Sequence, residues 1–147
     1  MIGGKGTQAD VVTGPGSENA PVILLVEDEV LIRLSAAEML REQGYVVLEA
    51  ADATEALALF GTGHPLHLVI TDVRMPGEID GLTLMRKIKK RRPHLPVALV
   101  SGHLAPDAGH EADGFLRKPY APEEFLQVAR DLIEPQWQSH HSSSKAS

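Results

Sequence analysis

Apolar and polar positions along the chain alternate in blocks that predict strands followed by amphipathic helices. Short apolar runs predict five strands, over Val22–Val26, Tyr45–Glu49, Leu66–Thr71, Pro96–Ser101 and Phe115–Arg117. Helical spacing and capping residues predict helices over residues 29–43, 52–60 and 80–92, and a last helix that opens at Pro122. In the first helix the stripe predicted to face the core is Val30, Leu34, Ala37 and Leu40. Such repeated strand-helix units favour a parallel sheet with right-handed crossovers and helices on both faces.

The pattern is confined to the middle of the chain, which predicts one domain between two loose ends. Residues 1–20 are rich in glycine and small polar residues and are predicted to be a flexible leader. Residues 21–134 form the predicted domain, and residues 135–147 a flexible tail. Within the domain, residues 102–114 include Pro106 and Gly109 and show little helical periodicity. We therefore expect the fourth helix, which would lie there, to be short or disordered.

Composition narrows the classes of function. The formal net charge is −6, which argues against direct nucleic-acid binding through a basic surface. The chain has no cysteine, so disulfides, thiolate zinc sites and cysteine nucleophiles are excluded. No apolar stretch approaches the roughly 20 residues needed to cross a bilayer, and the first residues lack the layout of a secretory signal. These features predict a cytoplasmic protein that does not interact with membranes.

Acidic residues stand where two of the predicted strands end. Glu27 and Asp28 follow the first strand, and Asp72 follows the third. Because the carboxyl ends of parallel strands meet at one edge of an open sheet, we expect these side chains to lie together. Three crowded carboxylates repel one another unless a cation neutralises them, and Mg²⁺ prefers such oxygen ligands. The sequence therefore predicts a magnesium site with a reactive aspartate.

Two more polar residues stand at the ends of the remaining strands. Ser101 ends the fourth strand and could donate its hydroxyl to a phosphoryl oxygen, while Lys118 follows the fifth and could place an ammonium beside the same group. Taken singly, each has an ordinary reading as a turn or surface residue. Together with the acids, they favour Asp72 as a nucleophile that forms an aspartyl phosphate.

The ordered motif set resembles that of a two-component response-regulator receiver domain. The set comprises Glu27-Asp28, Thr71-Asp72-Val73-Arg74-Met75-Pro76-Gly77, Asp80-Gly81, Ser101-Gly102 and Lys118-Pro119-Tyr120. The resemblance covers about residues 21–134. It implies a flavodoxin-like, doubly wound, five-stranded parallel sheet in the order 2-1-3-4-5.

The resemblance also implies a role for each site residue. Asp72 would accept phosphate from a sensor histidine kinase or a histidine phosphotransfer protein. The implied Mg²⁺ ligands are Glu27, Asp28, Asp72 and the backbone carbonyl of Arg74; Ser101 and Lys118 would bind the phosphoryl group, Phe115 would be the switch aromatic, and Lys118–Pro119 would be a cis peptide bond.

Competing functions of the same fold fit the residues less well. A Mg²⁺-dependent phosphohydrolase would form the same intermediate, but it typically has its nucleophile after the first strand and a second aspartate two residues later, whereas Asp28 is followed by Glu29 and Val30. A flavin-binding module would need a phosphate cradle where the first loop is acidic. A receiver-like fold used only for docking would not need the full acceptor set. We therefore expect a phosphoacceptor signalling module rather than an enzyme, standing alone because no output domain follows Glu134, and acting on a downstream protein target.

Overall fold

The computed structural model describes residues 19–102 and 111–146. Its strands are β1 (Val22–Val26), β2 (Val46–Ala50), β3 (Leu68–Asp72), β4 (Val97–Ser101) and β5 (Gly114–Arg117). Its helices with fully described bounds are α1 (Val30–Glu42), α2 (Ala53–Phe60), α3 (Gly81–Arg91) and α4 (Pro122–Ala146). The strands form one parallel sheet in the order β2-β1-β3-β4-β5, which confirms the predicted flavodoxin-like topology.

The register of the sheet brings the carboxyl ends of the inner strands to one level. Val26 pairs with Thr71, so β1 ends beside the last residues of β3. Asp72 pairs with Val100, and Ser101 pairs with Arg117. The residues that follow β1, β3, β4 and β5 therefore emerge along the same edge, as parallel pairing requires.

Alternating side chains of the strands divide the core into two layers, one on each face of the sheet. One layer unites the sheet with α1 and α4, and it includes Ile23, Leu25, Ala37, Leu40 and Phe125. The other unites the opposite face with α2 and α3, and it includes Leu24, Val26, Phe60, Leu84 and Ile88. Every residue of β3 and β4 is buried, which is typical of inner parallel strands covered on both sides.

Carboxylates fix the start of two helices. The side chain of Asp52 accepts a hydrogen bond from the backbone N–H of Glu55 at 2.8 Å and caps α2. Asp80 caps α3 in the same way by accepting from the N–H of Thr83 at 2.8 Å. The predicted cap at Asp52 and the predicted start of α3 at Asp80-Gly81 are confirmed.

The buried stripe of α1 differs from the predicted one. Ala36, Ala37 and Leu40 are buried, whereas Val30 and Leu34 are 54% and 49% exposed. At about 100° per residue, Leu34 lies roughly a third of a turn from the centre of the face formed by the two alanines and Leu40, and Val30 lies in the first turn. The prediction that Val30 and Leu34 face the core is therefore wrong.

The last helix is longer than the sequence predicts. The sequence predicts a flexible tail from residue 135, whereas α4 continues through Ala146 with Pro135 inside it. Gln136 contributes to this by donating to the carbonyls of Leu132 at 3.0 Å and His67 at 2.8 Å. The predicted leader (1–20) lies almost entirely outside the described residues. The segment between β4 and β5 (102–114), where a short or disordered helix is predicted, lies largely outside them as well. Among the described residues, no helix has the length and apolar character needed to span a bilayer.

Candidate functional site

Three carboxylates converge at the carboxyl edge of the sheet. Glu27 and Asp28 follow β1, and Asp72 ends β3, so the pairing of these two strands places them together. One carboxylate oxygen from each lies within 4.8 Å of the others. Glu27 and Asp72 are buried and Asp28 is exposed, so the cluster opens to solvent on one side.

A lysine ammonium occupies the inner side of this cluster. Lys118 follows β5, and its Nζ lies 3.1 Å from Asp72 and 3.3 Å from Oε1 of Glu27. Its backbone N–H donates to the carbonyl of Ser101 at 2.8 Å, which ties the loop after β5 to the end of β4. The Lys118–Pro119 peptide bond is cis. The lysine thus reaches across the end of β4 to two acids on neighbouring strands.

The electrostatics of the cluster single out Asp72. Burial, then the hydrogen bond and negative charge of Glu27, raise the pKa of Asp72 to about 7, against an opposing effect of Lys118. Burial lowers the pKa of Lys118, but its contacts with Asp72 and Glu27 outweigh burial and raise that pKa overall. Near neutral pH the Asp72 carboxyl is therefore poised between its two protonation states, and a nearby cation would favour the ionised form.

The backbone around Asp72 is held by close contacts with the start of α3. The N–H of Gly81 donates to the carbonyl of Val73 at 2.7 Å, and the hydroxyl of Thr71 donates to the carbonyl of Asp72 at 3.0 Å. A Cβ atom at position 81 would lie 1.8 Å from the carbonyl oxygen of Asp72, so only glycine fits. Sequence reasoning included Gly81 in a motif but missed this role, because the glycine is nine residues from Asp72 and only the fold brings them together.

The other predicted site residues lie around the same edge. Ser101 ends β4 and is buried, and Phe115 lies partly buried on β5 in register with Leu99. Arg74 is exposed in the loop that follows β3. The structure thus brings together Glu27, Asp28, Asp72 and Lys118, with Ser101 linked to Lys118 through the backbone.

The donor set fits a hard divalent cation. Three carboxylates face one ammonium, which leaves net negative charge when Asp72 is ionised. Mg²⁺ binds carboxylate oxygens and keeps several waters, and the exposed position of Asp28 leaves room for them. The acidic cluster is therefore suited to Mg²⁺ rather than to a soft metal.

One protein family matches nearly the whole predicted domain. The family described as "Response regulator receiver domain" matches residues 23–130. The chain is 38% identical over 121 residues to the sensor kinase CckA of Brucella abortus, covering 78% of this chain and 13% of that protein. It is 40% identical over 120 residues to the C4-dicarboxylate transport transcriptional regulatory protein DctD of Rhizobium meliloti, covering 78% and 26%.

A solved structure shares the fold of this chain. The response regulator protein TrrA of Thermotoga maritima, crystallised in complex with Mg²⁺ and BeF, superposes with a TM-score of 0.71 at 31% identity. The match covers 77% of this chain and 99% of that one. The chain spans far less than two thirds of the lengths of CckA and DctD, so the likeness to them concerns one segment of each.

Proposed function

The chain belongs to the response-regulator receiver family, and on that premise we propose that Asp72 accepts a phosphoryl group from a histidine of a sensor kinase or phosphotransfer protein. One observation carries the proposal: the Lys118 ammonium and the carboxylates of Glu27 and Asp28 surround the Asp72 carboxylate at one open edge. A carboxylate placed beside a cation site and an ammonium is suited to attack a phosphoryl group, since both attacker and donor are negatively charged.

The reaction balances without another reagent. An Asp72 oxygen attacks phosphorus, the bond between phosphorus and the imidazole nitrogen breaks, and that nitrogen takes up a proton from water as the imidazole leaves. Glu27, Asp28, Asp72 and the carbonyl of Arg74 would hold Mg²⁺, which when bound screens the negative charge of the phosphoryl oxygens. Lys118 exchanges its contact with the Asp72 carboxylate for one with a phosphoryl oxygen, so the group is stabilised as it arrives.

The same contacts provide a route from phosphorylation to conformational change. Ser101 donates its hydroxyl to the phosphoryl group, and Phe115 on the adjacent strand changes rotamer with it. The backbone bond between Lys118 and Ser101 links the two groups that would move. The population of the signalling conformation then depends on how much better these residues contact the phosphoryl group in that conformation.

A histidine-bearing helical partner is favoured by the surface beside the site. The large apolar side chains exposed among the described residues are Val30, Leu31 and Leu34, all on α1. Leu31 also lines a cleft of about 330 Å³ that extends to Tyr120 and Pro122. Such a patch next to an acidic edge suits a helix that inserts apolar side chains while it presents a phosphohistidine.

Other features of the function stay predictions. We propose that this segment acts in the cytoplasm and passes the signal to a downstream protein target. We propose a signalling role rather than an enzymatic one, with only self-phosphorylation and slow dephosphorylation at Asp72. Direct nucleic-acid binding by this segment is not part of the proposal.

The test is phosphorylation by a small donor. We expect acetyl phosphate or phosphoramidate with Mg²⁺ to add one phosphoryl group, detected by intact-protein mass spectrometry and released by hydroxylamine as an acyl phosphate. Asp72→Asn should abolish the adduct. Asp131→Asn, which changes an exposed acid on α4, is the matched control and should retain it. An adduct that survives Asp72→Asn, or steady turnover of a phosphoester, would contradict the proposal.

A further inference from the structure

Arg33 links helix α1 to the acidic turn of the site. Its Nη1 donates to the backbone carbonyl of Glu27 at 2.8 Å, and its Nε donates to Oε1 of Glu49 at 3.2 Å. The side chain is only 16% exposed, and Arg33 has no role in the phosphotransfer reaction proposed above. The guanidinium is therefore a fixed fork between β2 and the turn that follows β1.

The carbonyl that Arg33 binds belongs to the peptide group joining Glu27 to Asp28. The N–H of Glu27 donates to the carbonyl of Ala50 on β2 at 3.0 Å, which is a bond of the sheet. The carbonyl of Glu27 is therefore the first backbone group of the turn that follows β1. The Glu27 carboxylate is held separately, because its Oε2 accepts from the N–H of Glu29 at 3.0 Å. Without Arg33 this carbonyl would lose its side-chain donor, and the peptide plane between the two acids would be freer to rotate.

Glu49 anchors the fork to the sheet. It lies on β2 in register with Leu25, and its second oxygen pairs with Nη1 of Arg41 at 3.0 Å. Arg41 also donates to the carbonyl of Val47 at 2.9 Å, so Glu49 is held from both sides. Because Glu49 neutralises much of the charge of Arg33, the guanidinium acts on the acidic turn through geometry more than through its charge.

We propose that Arg33 is a positioning residue for the cation site, which it serves by fixing the peptide plane between Glu27 and Asp28. This inference rests on the proposed function, since it concerns the same site. Groups that orient metal ligands typically change metal affinity by about 10-fold to 100-fold when removed. We therefore expect Arg33→Met, which keeps an apolar stem and removes the donors, to weaken Mg²⁺ binding at least about 10-fold.

Lys89 offers a matched control at the opposite end of the sheet. Its Nζ also bridges a backbone carbonyl and a carboxylate, those of Leu95 at 3.1 Å and Asp113 at 2.6 Å. Lys89→Met removes a cation from an equivalent bridge, but one that lies away from the acidic cluster. The Mg²⁺ affinity of Lys89→Met should stay within about twofold of that of the original protein.

The experiment is calorimetric titration of each purified full chain with MgCl₂, at a temperature far below its unfolding midpoint. Equal Mg²⁺ affinity in Arg33→Met and the original chain would overturn the inference, as would equal weakening by Arg33→Met and Lys89→Met. Arg33→Lys keeps the charge but reaches only one acceptor, so it should remain at least about fivefold weaker, and full recovery would refute a positional role.

Two further measurements keep the outcome decisive. If Arg33→Met does not fold, Glu49→Met tests the same bridge, because methionine lacks the carboxylate oxygens that hold Arg33, and unchanged affinity in that variant would overturn the inference. The amide NMR shifts of Asp28 and Glu29 should move in the Arg33 variants without Mg²⁺, which a purely global destabilisation would not cause. If the original chain binds Mg²⁺ saturably and the variants bind it equally well, only the role of Arg33 is rejected. If the original chain does not bind Mg²⁺, the proposed function itself is rejected.

Discussion

The two ends of the parallel sheet handle polar groups in opposite ways. At the carboxyl end lie all the buried polar or charged residues found among the described parts of the chain, and these are Glu27, Thr71, Asp72 and Ser101. At the amino end, polar side chains lie partly exposed and bind individual backbone groups. His67, for example, accepts from the N–H of Val22 at 2.9 Å, and Arg92 donates to the carbonyl of Leu66 at 3.3 Å.

The difference shows which end is built for stability and which for chemistry. Each amino-end contact satisfies one backbone group and closes a strand or loop, which stabilises the fold. The carboxyl end concentrates negative charge and raises the pKa of Asp72 to about 7, an arrangement that costs stability until a cation arrives. Changes at the amino end should therefore lower stability without affecting the chemistry, whereas changes at the carboxyl end should impair the chemistry.

The largest effect is expected from Gly81→Ala at the carboxyl end. The added Cβ would lie 1.8 Å from the Asp72 carbonyl oxygen, so either α3 or the end of β3 must move. We expect a loss of about 4 kcal/mol in the free energy of unfolding, measured by urea denaturation, together with loss of phosphorylation. Gly61→Ala is the control at the end of α2. Its Cβ would lie 3.3 Å and 3.7 Å from the carbonyl oxygens of Leu57 and Ala58, so it should cost no more than about 1 kcal/mol. Equal losses in the two variants would contradict the close approach.

The next effect is expected from Lys118→Met. This change removes the ammonium that lies 3.1 Å from Asp72 and leaves the charge of an arriving phosphoryl group without its partner. We expect the rate of phosphorylation by phosphoramidate to fall about 100-fold, measured by the time course of the intact mass. Lys89→Met, at the amino end, should keep the rate within about twofold. A rate in Lys118→Met close to that of the original chain would remove the lysine from the mechanism.

A smaller effect is expected from pH. The raised pKa of Asp72 means that, between its unfolded value of 3.8 and the folded value of about 7, the folded state binds more protons than the unfolded one. The contribution to stability is therefore complete below about pH 4 and is lost as pH rises toward 7. A shift of this size corresponds to about 4 kcal/mol by linkage, and solvent screening at this open edge reduces the expected loss to about 2 kcal/mol. Urea denaturation without metal should show this fall in the original chain relative to Asp72→Asn.

Added Mg²⁺ should reverse the pH trend. The cation binds the ionised carboxylates, so the difference between the original chain and Asp72→Asn should shrink or change sign in its presence. Identical pH profiles for the two proteins without metal would show that the pKa of Asp72 is not raised.

The carboxyl end of the sheet could largely be predicted from the sequence. The ends of β1, β3 and β4 are marked by acids or a serine after apolar runs, so Glu27, Asp72 and Ser101 could be assigned to one edge before any coordinates. Sheet order followed from the resemblance and was confirmed. Local patterns are enough here because parallel strands place their carboxyl ends together whatever the details of packing.

The missed features depend on contacts between distant segments. The role of Gly81 follows from how closely α3 approaches β3, and that of Arg33 from its reach to Glu27 and Glu49. The exposure of Leu34 depends on how α1 is rotated about its axis. The apolar stripe in the sequence does not determine that rotation, because the small Ala36 and Ala37 can face the sheet in place of Leu34. The continuation of α4 past residue 135 was not predicted, because the histidine- and serine-rich segment there is typical of a tail.

The smallest effect is expected from Trp137→Leu at the amino end. The indole packs edge-on against the ring of His67 at 5.1 Å, and His67 also accepts from the N–H of Val22, so the contact fastens α4 to the start of β1 and β3. An aromatic pair of this kind contributes about 1 kcal/mol, so urea denaturation should show a loss of that size. Mg²⁺ affinity and the phosphorylation rate should be unchanged, because the contact between Trp137 and His67 lies at the opposite end of the sheet from the acidic cluster. A loss of phosphorylation with intact folding would mean that the two ends are coupled, and the division between a stabilising end and a reactive end would then fail.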